Sequence, residues 1–377
     1  MSKRQGKTII GLTGNIATGK SVVRRMLEHL GAYTIDADSL AHRVIASDAP
    51  GYKRVLDTFG TWLLDKDRQI DRGKLGKLVF SDSEALKQLE GIVHPYVMQA
   101  VDLLIRRSSQ PVVVIEAIKL IESDLRQQCD SIWVTDAPPE VQVERLIRKR
   151  GFSPADALQR VKLQAPQQDK LNAANIVIKN NGSYDDLWKQ VSDGWKAVTA
   201  TKGTAPLVAA ESKPGEFSLE RARPRDSQKI ADLVTRLSKG KRAMSPDDVM
   251  EAFGEKAFLI LQLGSEPVGI AGWQVENLVA RTDDLFLDPK VAADKALPLL
   301  LHEVEEASGA LQCEASLVFP PMDLVGFDAV WKNLGYARRS PEALGSQAWM
   351  EAANESMPRG GALFFKQLRA DRVLRPI

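Results

Sequence analysis

The chain has 377 residues, 44% hydrophobic and 27% charged, which is enough apolar content for large buried cores and more length than one core usually organises. Lys+Arg at 51 against Asp+Glu at 49 nearly cancel, which excludes the electrostatic footprint of a dedicated nucleic-acid binder. Only Cys129 and Cys313 occur, far apart and without CxxC spacing, so a disulfide framework and a zinc site are both disfavoured and a reducing cytoplasm is the simplest setting. No stretch approaches the roughly 18 apolar residues of a spanning helix, so no membrane partner is expected.

The first half alternates short β-rich runs with amphipathic stretches, the pattern of a parallel sheet covered by helices. Strands are predicted over 8–12, 32–35, 111–115, 131–135 and 175–178, and helices over 20–30, closed by Gly31, over 138–150, ended at Gly151, and from 153 to about 164. From 197 to 216 the composition shifts to Ala, Thr, Lys, Pro, Gly and Ser without an apolar period, which reads as a linker between a domain over 1–196 and another over 217–377. Beyond it, strands over 218–221, 257–263, 267–274, near Leu285 and over 363–367, with helices over 224–237, 245–253 and 291–308, outline a mixed α/β unit.

Between the first predicted strand and helix stands Gly14-Asn15-Ile16-Ala17-Thr18-Gly19-Lys20-Ser21, which satisfies G-x-x-x-x-G-K-[ST] in the context that motif requires. A glycine-rich turn aims backbone N–H groups at phosphates and the following helix points its positive end at them. Lys20 is expected to reach the β- and γ-phosphates of a nucleotide, and the Ser21 hydroxyl to ligate Mg²⁺. The motif names a nucleotide site and not a reaction. No D-x-x-G or N-K-x-D segment supports a switch GTPase.

After the second strand comes Asp36-Ala37-Asp38. If extended, the period of two puts both carboxylates on one side, at the sheet edge where ligands bind, to take a proton from an acceptor hydroxyl or to hold the metal. Asp38 is favoured as base. The alternative is that Asp38 only caps a helix starting near Ser39.

The loop, the Asp36-Ala37-Asp38-Ser39-Leu40-Ala41-His42 segment, and in order Phe59-Gly60, Ile70-Asp71-Arg72, Leu89-Glu90-Gly91-Ile92-Val93-His94-Pro95, the run 142–150, Gln164 and the run 178–182 resemble dephospho-CoA kinase across roughly residues 8–195. The resemblance implies a P-loop sheet with a helical acceptor insertion over about 40–107 and a lid over about 145–160. It implies transfer of the ATP γ-phosphoryl to the ribose 3′-hydroxyl of dephospho-CoA, with Asp36, Asp38 and His94 at the acceptor and Arg145, followed by Arg148 and Arg150, approaching the phosphates. His94 reads equally as a histidine starting a helix at Pro95. A P-loop kinase with another hydroxyl acceptor, or a nucleotide-binding regulatory protein, remains open.

The sequence departs from that family at Asn15 and Ala17, where glycine is usual, at Ala117-Ile118-Lys119-Leu120-Ile121-Glu122, which replaces Pro-Leu-Leu-Phe-Glu, and at Ala174-Asn175, which replaces Ala-Asp. Asn15 is expected to tolerate positive φ. Residues 217–368 resemble a GNAT-type N-acetyltransferase domain through the segments 219–226, 267–273 and Leu334-Gly335-Tyr336. The stretch 288–296, where that resemblance implies a pyrophosphate loop, has no glycine, so this unit is expected to be non-catalytic, used for regulation or assembly. Trp273, Trp331 and Trp349 are expected in the core, and Glu276 reads as a surface carboxylate. Oligomeric state is not legible.

Overall fold

The computed structural model describes residues 6–47, 49–199 and 216–370. The N-terminal half is a five-stranded, all-parallel sheet built from β1 (Thr8–Thr13), β2 (Tyr33–Asp36), β3 (Val112–Glu116), β4 (Ser131–Asp136) and β5 (Ile176–Lys179), in the order β2-β3-β1-β4-β5. Each predicted strand is found within one or two residues. On one face lie α1 (Lys20–His29) and α9 (Tyr184–Thr199), packed on Ile10, Leu12, Val114 and Trp133. On the other lie α2 (Ala37–Val44), α3 (Tyr52–Phe59), α4 (Arg72–Ser81) and α5 (Ser83–Arg107), around Ile9, Ile35, Val113 and Ile115. Helices α6 (Pro139–Arg150), α7 (Pro154–Lys162) and α8 (Gln167–Ala173) follow β4. The central strands β1, β3 and β4 are buried on both faces and therefore read as continuous apolar runs.

Two expectations are corrected here. Pro95 does not begin a helix: it lies inside α5, whose N-cap is Asp82, with Asp82 Oδ1 accepting the Glu84 and Ala85 N–H groups at 2.8 and 3.2 Å. The composition shift at 197 does not end structure, because α9 continues to Thr199; the rest of the predicted linker, through 215, lies outside the described residues.

The C-terminal half is a seven-stranded mixed sheet: β6 (Phe217–Arg221), β7 (Ala257–Leu263), β8 (Glu266–Glu276), β9 (Val279–Leu287), β10 (Ala315–Val318), β11 (Ala337–Arg339) and β12 (Leu363–Gln367), in the order β11-β12-β10-β9-β8-β7-β6. All pairs are antiparallel except β9 with β10. Helices α10 (Ser227–Leu237) and α11 (Pro246–Ala252) cover one face, α12 (Ala293–Ala310) the other, and α13 (Met322–Val325), α14 (Asp328–Asn333) and α15 (Gln347–Ser356) complete the unit. Trp273, Trp331 and Trp349 are all core residues, and Trp331 stacks on Phe364 with its Nε1–H donated to the Leu324 carbonyl at 2.9 Å. Among the described residues no helix is long and apolar enough to cross a membrane.

The two halves share a polar, buried contact. The β8–β9 hairpin, with Asn277 and Leu278 at φ 51° and 60°, reaches between α1 and α2. Arg43 of α2, 8% exposed, donates to the Asn277 carbonyl at 3.0 Å and to Glu314 Oε2 at 2.8 Å, and Glu314 is fully buried. Arg25 of α1 bonds Glu28 and lies 3.4 Å from the Val275 carbonyl. His29 packs edge-on against Phe253, and burial pushes its imidazole down to about 4, so it is neutral there. Glu276 is exposed, as a surface carboxylate should be; it pairs with Arg281 and borders the small cavity between the halves beside Arg24 and Glu28.

Candidate active site

The register Asp36↔Glu116 and Leu12↔Glu116 brings the carboxyl ends of β2 and β3 level with the end of β1, where the glycine-rich loop begins. The glycines at both ends of that loop are required. Gly14 has φ +150°, and a Cβ there would sit 2.3 Å from Thr135 Oγ1; Gly19 has φ +95°, with a Cβ 2.0 Å from Asn180 Nδ2. Thr18 Oγ1 meets Thr135 Oγ1 at 2.7 Å, and Asn180 Nδ2 donates to the Thr18 carbonyl at 2.9 Å, so β4 and the loop after β5 fix the turn from outside.

Lys20 is 8% exposed and its ammonium donates to the Gly14 and Asn15 carbonyls at 2.9 and 3.3 Å, folding the side chain back over the loop. The expectation about Asn15 is corrected, because it is Ala17 that takes the left-handed conformation, at φ 58°, while Asn15 is not among the positive-φ residues. An alanine there carries a penalty that glycine avoids, partly offset by glycine's greater freedom in the unfolded chain. Ala17→Gly is therefore expected to stabilise the protein by about 0.5–1 kcal/mol, read as a rise in thermal midpoint; a fall would contradict the strained backbone.

The paired-carboxylate expectation is also corrected. Asp36 is the last residue of β2 and caps α2, its Oδ1 accepting the Ser39 N–H at 2.9 Å, whereas Asp38 lies in the first turn of that helix. The chain turns helical at Ala37, so a period of two does not apply, and the capping role belongs to Asp36 rather than to Asp38. Asp38 instead accepts the Ile118 N–H at 3.0 Å and lines a cavity of about 380 Å³ with His42, Arg72, His94 and Lys119. Burial raises the Asp38 carboxyl, opposed by the Ile118 bond and by Lys20 and His42 and reinforced by Asp36. His94 is exposed at the cavity wall. Ile118 belongs to the segment that departs from the family, so the substituted stretch itself holds the carboxylate; its Lys119 pairs with Glu90 at 2.7 Å.

Arg145 donates from Nη1 to the Ala17 carbonyl at 3.1 Å and from Nη2 to the Asn180 carbonyl at 3.0 Å, which places it against the loop. Arg148 points elsewhere, to within 3.9 Å of Glu251, and the Arg150 side chain lies outside the described residues.

Sequence reasoning missed Glu116. It is 5% exposed at the end of β3, with Oε1 3.4 Å from Ser21 Oγ and Oε2 2.7 Å from Arg24 Nε. Burial raises its carboxyl, against the pull of Arg24. The signal was available: an acid ending an apolar strand next to the loop strand. It was hidden by reading the run from Ala117 onward as a substituted family segment. Gln164 and Gln167 were also missed as loop partners, accepting the Ile16 and Asn15 N–H groups at 3.1 and 3.2 Å.

The parallel sheet, the phosphate-binding loop, and a half-buried carboxylate in the wall of a cavity define a P-loop kinase. The family model described as Dephospho-CoA kinase matches residues 8–186. Dephospho-CoA kinases of Carboxydothermus hydrogenoformans and Geobacter sulfurreducens are 41% and 40% identical over 186 and 190 residues, covering 48% and 50% of this chain and 90% and 96% of theirs. The chain belongs to the dephospho-CoA kinase family. Its C-terminal half is similar to a GNAT-family acetyltransferase from Staphylococcus aureus, at 12% identity and TM-score 0.33 over 41% of this chain and all of that one.

Proposed function

We propose that the N-terminal half, assigned to 1–196, transfers the γ-phosphoryl of ATP to the ribose 3′-hydroxyl of dephospho-CoA. The observation that carries this reading is Asp38, held by the Ile118 N–H in the wall of a cavity and close enough to Lys20 of the phosphate-binding loop to feel its charge. A hydroxyl bound in that cavity can give its proton to Asp38 while its oxygen attacks in line. Gly14 through Ser21 cradle the nucleotide phosphates; Lys20 leaves its loop carbonyls for the β- and γ-oxygens, and Arg145, which steadies the loop from outside, stabilises developing charge. His94 and Arg72 contact the acceptor in the cavity.

The donors beside the loop suit a hard cation: Ser21 Oγ and Glu116 Oε1 are oxygens 3.4 Å apart facing each other. They would hold Mg²⁺, which would supply charge neutralisation for the transferred phosphoryl group.

For residues 217–377, which follow the segment after α9, we infer a non-catalytic module that supports the kinase half. Asp288 Oδ1 accepts the Lys290 N–H at 3.0 Å and Oδ2 takes Arg236 at 2.8 Å. A carboxylate thus occupies the turn before α12, where an anionic pyrophosphate would need free N–H groups. Arg25 and Arg43 tie this half to the helices that carry Lys20 and Asp38.

The full chain with Mg-ATP is expected to release ADP on adding dephospho-CoA and not on adding nucleosides or other small hydroxyl metabolites, and to leave acetyl-CoA intact before a panel of amines. Turnover with a different acceptor would refute the substrate, and saturable acetyl transfer the inference about the second half.

A further inference from the structure

Lys170 of α8 is 3% exposed, and among the described residues its ammonium makes one hydrogen bond, to Asn15 Oδ1 at 3.0 Å. Among the described residues no carboxylate lies within ion-pairing distance of it; Glu122 and Asp38 act on it only from further away. An ammonium carries three donors, and burying its charge against a single neutral oxygen is costly. Burial accordingly lowers its affinity for the proton.

The geometry that holds it there is specific to this loop. Asn15 is bound to the segment before and within α8 three times: its N–H donates to Gln167 Oε1 at 3.2 Å, its Nδ2 to the Ala165 carbonyl at 3.0 Å, and its Oδ1 accepts from Lys170. The Ala165 carbonyl fixes which way the amide faces, so the oxygen is turned to the lysine. Glycine, usual at this position, would leave the ammonium without that partner. The Lys20 ammonium bonds the backbone carbonyl of the same Asn15. Two lysine heads therefore reach one residue of the phosphate-binding loop from different sides.

We propose that Lys170 is a second phosphate-binding cation of this site, contacting the terminal phosphoryl group of the bound nucleoside triphosphate. The anion supplies the counter-charge that the protein omits, and Asn15 holds the ammonium in place until it arrives. This assignment rests on the kinase reading for its effect on turnover, but its binding consequence does not depend on the acceptor.

The test is titration of the full chain with the magnesium complexes of ADP and of a non-hydrolysable imido analogue of ATP, for the wild type, Lys170→Met and Lys170→Arg. A charge-assisted bond confined to the terminal phosphoryl predicts that Lys170→Met loses triphosphate affinity about 10- to 100-fold while ADP affinity stays within about twofold, and that Lys170→Arg recovers most of the loss. Where dephospho-CoA is turned over, kcat in Lys170→Met falls about 100-fold. Unchanged affinity for both nucleotides, or an equal loss for both, overturns the proposal, the second because it reports a loosened loop. A wild type that binds nucleotide yet phosphorylates no dephospho-CoA defeats the acceptor reading, and the ratio of the two affinities still decides Lys170.

Discussion

Asp38→Asn is expected to lower kcat for phosphoryl transfer by about 10²- to 10⁴-fold while nucleotide affinity stays within about twofold. The substitution keeps the side-chain oxygen that accepts the Ile118 N–H at 3.0 Å, so the start of α2 and the wall of the cavity should persist. What it removes is the capacity to take a proton. The pH dependence carries a second signature. Burial holds the Asp38 carboxyl above the usual carboxylate range, and Asp36 adds to that, against the Ile118 bond, Lys20 and His42. A base must be deprotonated to act, so kcat falls as pH drops through that raised value, and the acid limb of the wild-type profile lies above the position of an ordinary aspartate. In Asp38→Asn that limb disappears. A variant with near-wild-type kcat, or an unchanged acid limb, would assign the base elsewhere.

The second large effect is on stability. Glu314 is fully buried and Arg43 is 8% exposed, with Oε2 and Nη2 2.8 Å apart across the contact between the halves. Truncating one member of a buried ion pair strands the other charge, which costs about 3–5 kcal/mol, whereas replacing both by apolar groups of similar volume is often neutral or stabilising. Glu314→Ala should therefore lower the denaturant midpoint far more than Arg43→Met/Glu314→Leu does. Because Arg43 lies in the last turn of the helix whose first turn carries Asp38, the single variant should also reduce phosphoryl transfer. A Glu314→Ala protein as stable and active as the wild type would mean that the second half is carried along without supporting the first.

The sequence was most informative where backbone geometry and residue type are tightly linked. Buried parallel strands declare themselves as apolar runs, and the loop from Gly14 to Ser21 declares itself because two positions exclude a Cβ. In the second half the ends were less legible. β10 and β11 have four and three residues, too few for a period to show, and α15 follows Ser346 without a side-chain cap to mark its start. The capping role fell to Asp36 and not to Asp38 because two residues of strand and two residues of helix look alike until the turn is known to start at Ala37. Glu116, Gln167 and Lys170 could be linked to the loop only through the fold, since the distances that matter join residues about 95 to 155 positions apart. The same holds for Arg43 and Glu314, 271 positions apart.

The most direct measurement is incubation of the full chain with Mg-ATP and dephospho-CoA, followed by mass and positional analysis of the acceptor product beside Lys20→Ala and Asp38→Asn. The account predicts one added phosphoryl group on the ribose 3′-oxygen, strongly reduced in both variants. Tight nucleotide binding with no phosphorylated acceptor, or phosphorylation at another position, would contradict it.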